Sequence, residues 1–177
     1  LVNFGPELDI VPELAVSWDN PSDTLWRFHL RSGVVFHDGR PLEAADVVAS
    51  LRRALDMKES QVRYYLEAVE DVRATDATTV EISTRHPSAA LLNKLVFVAI
   101  VPRDTPRTPI TAPVGTGPYR FVSGRPGESV KGERFDRFWG PRPAFRQVTM
   151  LPLPDSRARA EAVPKGLADI VSRFPEP

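Results

Sequence analysis

Proline sets the first constraint on this chain. Eighteen of its 177 residues are proline, about twice the usual share, and they are scattered rather than tandem. Each removes an amide donor and fixes φ, so each is excluded from the interior of a helix or a central strand. A chain interrupted this often has no room for a bundle of long helices. It suits short strands, short helices and irregular connections. With 42% apolar residues, there is enough material for one domain with a real core or for two small ones.

Charge and cysteine content narrow the function classes. Lys+Arg and Asp+Glu both total 23, so no long-range field draws the chain to nucleic acid or to an anionic membrane. The sequence has no cysteine, which removes disulfide frameworks, thiolate nucleophiles, zinc ribbons and iron–sulfur clusters. It contains no apolar run of the roughly 18 residues a membrane helix needs. The first residue is Leu1, not Met, and the opening LVNFGPELDIVP and closing SRFPEP read as mid-phrase. The chain is therefore expected to be a fragment, and the absence of a leader says nothing about export.

Periodicity supplies the elements. In WRFHL, Trp26, Phe28 and Leu30 face one way and Arg27 and His29 the other, the signature of a half-buried strand. DNPSD at 19–23 reads as the turn before it. VVF at 34–36 is a short strand, and His37-Asp38-Gly39 a tight turn. Ala44, Val47, Val48, Leu51, Ala54 and Leu55 follow the 3.6-residue period of an amphipathic helix over 44–55. Glu43 and Asp46 near its start and Arg52 and Arg53 near its end carry the signs its dipole favours. Residues 69–84 predict a hairpin turning at 75–77. Ser88 is placed to cap a short helix through Leu95. VFVAIVP, 96–102, predicts a fully apolar strand. Residues 103–114 carry three prolines and no period, and mark the internal boundary. Beyond it, strands are predicted within 115–124, 128–134 and 145–153, a helix over 155–163 capped by Asp155 or Ser156, and a last strand at 167–171. This alternation indicates an α/β or α+β fold with a mixed sheet and flanking helices.

Several groupings have the composition of chemistry. His37-Asp38 has the order of a metal-phosphohydrolase dyad, but it sits in a turn, where Asp ordinarily bonds nearby backbone amides, and only His29 and His86 remain as further histidines. GTGPY, 115–119, lacks the Lys-Ser/Thr of a phosphate loop and leads into a strand, so it reads as a chain reversal allowing close backbone approach. No Gly-x-Ser-x-Gly elbow occurs. Glu70 and Asp71 are adjacent on a strand, with side chains on opposite faces. Trp18, Trp26 and Trp139 lie amid apolar pattern and are expected in the core. Tyr64-Tyr65 differ, because they follow the irregular polar stretch DMKESQVR, a setting in which paired tyrosines line ligand clefts.

Read in order, VPELAVSWDN, TLWRFHLRSGVVFHDGRPLEAADVVASLRRAL, TTVEIST, PVGTGPYRF, GERFDRFWG and KGLADIV resemble the family 5 extracellular solute-binding proteins of ABC transporters, the oligopeptide-, dipeptide- and nickel-binding type. The motifs span nearly the whole chain. The resemblance implies an incomplete lobe of the periplasmic-binding-protein type II fold. Residues 1–113 would be an inserted subdomain of the first lobe and 114–177 part of that lobe's main sheet, with the second lobe absent.

It further implies a receptor that closes over a peptide or other small solute and delivers it to an ABC-transporter permease. Such a protein catalyses nothing, needs no cofactor or metal, and binds no nucleic acid. It would sit in the periplasm or outside the cell, with a lipid anchor as one means of attachment. The ligand-facing segment that carries over is the one after the first helix, at Val62, Tyr64 and Tyr65. Glu43 departs from the Thr that usually opens that helix, a change worth about 1 kcal/mol of capping. Two other functions fit parts of the pattern: the solute-sensing domain of a cytoplasmic transcription regulator, and a metal-dependent hydrolase using His37 and Asp38.

Overall fold

The computed structural model describes residues 1–58, 60–125 and 127–172. Two short strands, β1 (Val2–Phe4) and β2 (Ile10–Pro12), form a hairpin that precedes the anticipated elements. Strands of three residues carry too little periodicity to read, and the turn between them places Leu8 at φ +63°. Then follow β3 (Ala15–Ser22), β4 (Leu25–Leu30), helix α1 (Ala44–Asp56), a 3₁₀ turn (Arg63–Leu66), β5 (Val69–Ala74), β6 (Thr79–Thr84) and helix α2 (Leu91–Leu95). The C-terminal part holds β7 (Tyr119–Gly124), β8 (Val130–Arg134), β9 (Gln147–Met150) and helix α3 (Ser156–Ala162). The sheets run β3-β4-β6-β5 and β7-β8-β9, and all pairings among the described residues are antiparallel.

The first sheet is built as its alternation requires. Trp26, Phe28 and Leu30 on β4, with Val80 and Ile82 on β6 and Val72 on β5, are buried in one core with Ala44, Val47, Leu51 and Ala54 of α1. The opposite face carries charge in register across all four strands. Asp19 stands opposite Arg27, Arg27 opposite Glu81, and Glu81 opposite Arg73. Glu81 takes Arg27 Nε at 3.0 Å and Arg73 Nη2 at 2.6 Å. These two guanidinium groups, Arg73 first, hold its carboxyl below the usual glutamate range.

Three segments, and with them the VVF strand and the Ser88 cap, depart from expectation. The segment 19–23 is not a turn: β3 runs through Asp19, Asn20 and Pro21 to Ser22, and the reversal falls at Asp23-Thr24. Pro21 is tolerated because β3 is an edge strand and its register shifts between Asp19 and Ser22. VVF contributes only an isolated bridge between Val35 and Pro41.

VFVAIVP, the second, joins no sheet: Val96 and Phe97 close the turn that ends α2, with Phe97 N–H donating to Lys94 C=O at 3.3 Å and Val98 N–H to Leu95 C=O at 3.1 Å. Val98 and Ile100 are buried while Phe97 and Ala99 are exposed, so the period of 2 is real. Its backbone bonds to helix side chains instead of a strand. Val101 N–H donates to Ser50 Oγ at 3.0 Å and Arg103 N–H to Asp46 Oδ1 at 3.0 Å. The other oxygen of Asp46 accepts from Glu43 N–H at 2.9 Å, so this buried carboxylate supplies the start of α1 that Glu43 caps poorly.

The third is 167–171, where no strand forms. Leu167 N–H returns to Ala162 C=O at 2.8 Å and Gly166 N–H to Val163 C=O at 3.0 Å, with Gly166 at φ +67°. The left-handed glycine ends α3 in a Schellman motif, and the first two amides of the expected strand, Leu167 and Ala168, turn back to Ala162 C=O. Ser88 does not cap α2 with its side chain; its carbonyl accepts from Leu91 N–H at 3.2 Å, and the helix starts after Ala90. Asp155 does cap α3, taking Ala158 N–H at 2.7 Å.

Candidate functional site

After α1 the chain tightens into the 3₁₀ turn at 63–66, which buries Leu66 and throws the two tyrosines outward. Tyr64 is 60% exposed and Tyr65 half-buried. Their ring centroids lie 4.0 Å apart. On Tyr65 a third ring, Phe97, stacks at 4.7 Å and 14°. Phe4 meets Phe97 edge-on at 6.2 Å. The result is a column of four aromatic rings drawn from β1, the 3₁₀ turn and the segment after α2. Hydrogen bonding with the Tyr65 phenol, ahead of burial and charge, raises the Tyr64 pKa above its usual value.

Val62 stands apart from the column, since its side chain packs against the hydrophobic core. The structure therefore brings Tyr64 and Tyr65 together and turns Val62 toward the interior. Phe97 was hidden in the sequence by its setting in a run of apolar residues. The departure from burial at every second position, visible only once Val98 and Ile100 are seen to be buried, is what exposes it.

The His37 region is a clasp between the N-terminal and C-terminal parts. Gly115 N–H donates to His37 Nδ1 at 3.3 Å, so Nδ1 is an acceptor and Nε2 carries the proton. Nε2–H in turn donates to Gly117 C=O at 3.0 Å. The backbones also meet, His37 N–H donating to Gly115 C=O at 2.8 Å, and the ring packs against the edge of Phe135 at 5.1 Å. Both ring nitrogens are thus committed to the GTG loop. Asp38 turns to Arg40, which also reaches Asp104 at 2.7 Å. Among the described residues no group of three or more His, Cys, Asp or Glu side chains is placed to hold a metal ion.

The other candidates resolve into structure. Trp26 is buried in the core; Trp18 and Trp139 pack against it half-buried, Trp139 beneath the Arg31 guanidinium at 4.5 Å. A bulge between Val69 and Asp71 breaks the strand alternation there, so Glu70 and Asp71 are both exposed, and Asp71 pairs with Arg52 at 3.2 Å.

Residues 9–177 match the family described as Bacterial extracellular solute-binding proteins, family 5 Middle. This chain belongs to that family. The glutathione-binding protein GsiB of Pectobacterium atrosepticum is 33% identical over 184 residues, which is 99% of this chain and 36% of that protein. Among solved structures, NikZ from Campylobacter jejuni in complex with Ni(L-His) superposes with a TM-score of 0.86 at 25% identity, covering 94% of this chain and 36% of that one. The periplasmic binding protein DppA from Helicobacter pylori in complex with peptide STSA gives 0.80 at 28% identity, covering 94% and 39%. The chain thus spans little more than a third of these relatives and carries an incomplete type II binding-protein fold. Family 5 proteins bind solutes for ABC transporters and are not enzymes, and they work in the periplasm or outside the cell. No helix among the described residues is long and apolar enough to cross a membrane.

Proposed function

We propose that this chain is part of the first lobe of a receptor that captures a peptide or similar small solute and hands it to an ABC-transporter permease. In this reading residues 1–113 form the inserted subdomain and 114–177 part of the main sheet, and the second lobe lies outside the chain. The receptor works beyond the cytoplasm, free or on a lipid anchor. Family membership along residues 9–177 carries the reading. The relatives' names span glutathione, a nickel–histidine complex and a peptide, so the solute differs among members of the family.

The ligand-facing residues are Tyr64 and Tyr65, with Phe97 joining them through the stack and Val62 supporting the turn from below. Physically, an aromatic wall on one lobe gives a closing clamp its first apolar contact, and closure desolvates the solute on both sides. One lobe alone buries one side.

Calorimetry tests this with the intact protein and with the 177-residue chain. Titrated with a peptide library, glutathione and nickel–histidine, the intact protein is expected to bind at least one solute at micromolar level or tighter, and Tyr65→Ala to weaken it at least tenfold. The isolated chain is expected to bind none tightly. An intact protein that binds none of these solutes, or a Tyr65→Ala variant with unchanged affinity, sinks the assignment.

A further inference from the structure

We infer that the outer face of Tyr64 is a stacking platform that selects solutes carrying a flat, unsaturated group, an inference that rests on the receptor function proposed above. The order of the rings carries it. Tyr64 and Phe97 lie 4.0 and 4.7 Å from Tyr65, tilted from its plane by 34° and 14°, so they occupy its two faces. Phe97 is met from beyond by the edge of Phe4. Tyr65 is closed between two rings, Phe97 is 50% exposed but has Phe4 standing beside it at 6.2 Å, and the end of the column with no further ring against it is Tyr64, which is 60% exposed. Tyr65 backs the platform directly and is itself backed by Phe97, so part of the ordering cost is met before any ligand arrives.

The column itself carries no charge. Beside it, Glu67 and Lys94 point to each other at 4.0 Å, and Arg63, exposed on the same 3₁₀ turn, is the charged side chain next to Tyr64 in sequence. What it offers a solute is π surface. A planar group gains offset stacking there in addition to apolar burial, whereas a saturated group of the same size gains burial alone. What the rings themselves select is thus unsaturation, which peptides matched in size and charge isolate.

The probes are the tripeptides Ala-Phe-Ala and Ala-cyclohexylalanine-Ala, matched in length and charge, titrated into the intact protein. The aromatic peptide is expected to bind roughly three- to tenfold tighter than the saturated one. Tyr64→Phe should keep that ratio, because the hydroxyl is not what is read. Tyr64→Ala should bring it to one with the melting temperature unchanged, since the side chain is exposed. Equal affinities in the native protein, or a ratio that survives Tyr64→Ala, overturns the inference and leaves the receptor standing. A protein that binds neither tripeptide but does bind glutathione, nickel–histidine or another peptide has the same consequence. A protein that binds no solute at all removes both.

Discussion

The four-stranded sheet buries one face under α1, and there Phe28, Val47, Leu51, Val80 and Ile82 are at most 1% exposed. Among the described residues of this chain, which spans little more than a third of its relatives' length, nothing comparable covers the three-stranded sheet. Around it Phe145, Met150, Leu167 and Ile170 are 62–83% exposed, and they share a groove of about 1010 Å³ with Val148 and Leu153. Phe135 is the only large apolar side chain buried among the described residues after 114. Within this part of the lobe, the difference lies in the helices that the chain itself supplies. Helix α1 has 13 residues and an apolar stripe long enough to cover the strands. Helix α3 has seven residues and buries Ala162 alone. Alternation makes a strand in both places, but a core forms only where another element supplies the second layer.

The sharpest way to break this contrast is to remove one phenylalanine from each side. Phe28→Ala empties a fully buried site and is expected to cost about 3–5 kcal/mol. Phe145→Ala removes a ring already in water and is expected to change stability by no more than about 0.5 kcal/mol. Urea denaturation measures both, and similar losses would mean that the second sheet has a core of its own.

Next in size is the charge row on the back of the first sheet. Glu81→Ala leaves Arg27 and Arg73 without their shared carboxylate. Removing one partner of a fully buried pair costs about 3–5 kcal/mol. The two guanidinium-bearing side chains are 37% and 63% exposed, so water replaces part of the loss and about 1–2 kcal/mol is expected. The acid response follows from the sign of the shift. The folded-state pKa lies below the unfolded one, so the contribution is complete above the ordinary glutamate value of about 4.3 and fades as pH falls through the lower folded value. The Glu81→Ala protein should therefore lose less stability than the native one on acidification below about pH 4. An identical acid profile for both would contradict it.

These two regions also mark how far the sequence could be read. The β4 strand, α1, the 69–84 hairpin and the Asp155-capped helix were legible because period and cap agree locally. The charge row was not, because its members come from four strands and meet only through register. The segment 96–102 reads as a strand because the helix side chains that take the amides at its end, Ser50 for Val101 and Asp46 for Arg103, lie some 50 residues away in sequence. Of the site, the tyrosine pair was visible as an aromatic doublet in an irregular stretch. Phe97 and Phe4 were not, since a column assembled from three separate segments has no spacing to read.

The clasp between the regions ranks below the charge row. His37→Ala leaves the Gly115 amide and the Gly117 carbonyl, both half-buried, without their side-chain partner. Water reaches part of that space, so about 1 kcal/mol is expected. Hydrogen exchange at the Gly115 amide should speed up while that of β6 stays as it was. Calorimetry with Zn²⁺ and Mn²⁺ should give the same result for native and variant proteins. A binding heat lost on His37→Ala would mean that the histidine serves an ion and not the loop.

The smallest effect on stability is expected where the apolar surface is most open. Replacing Leu167 and Ile170 together by Ser exchanges two side chains that are 64% and 83% exposed for small polar ones. The denaturation midpoint should hold, because neither residue belongs to the packed core. Association should change instead. Exposed apolar surface of this extent binds hydrophobic dyes and sticks to other copies, so the doubly substituted chain should bind less dye and sediment with a smaller average mass. A fall in midpoint with unchanged sedimentation would show that these side chains hold α3 and β9 together. In that case the contrast between the two sheets would be one of degree.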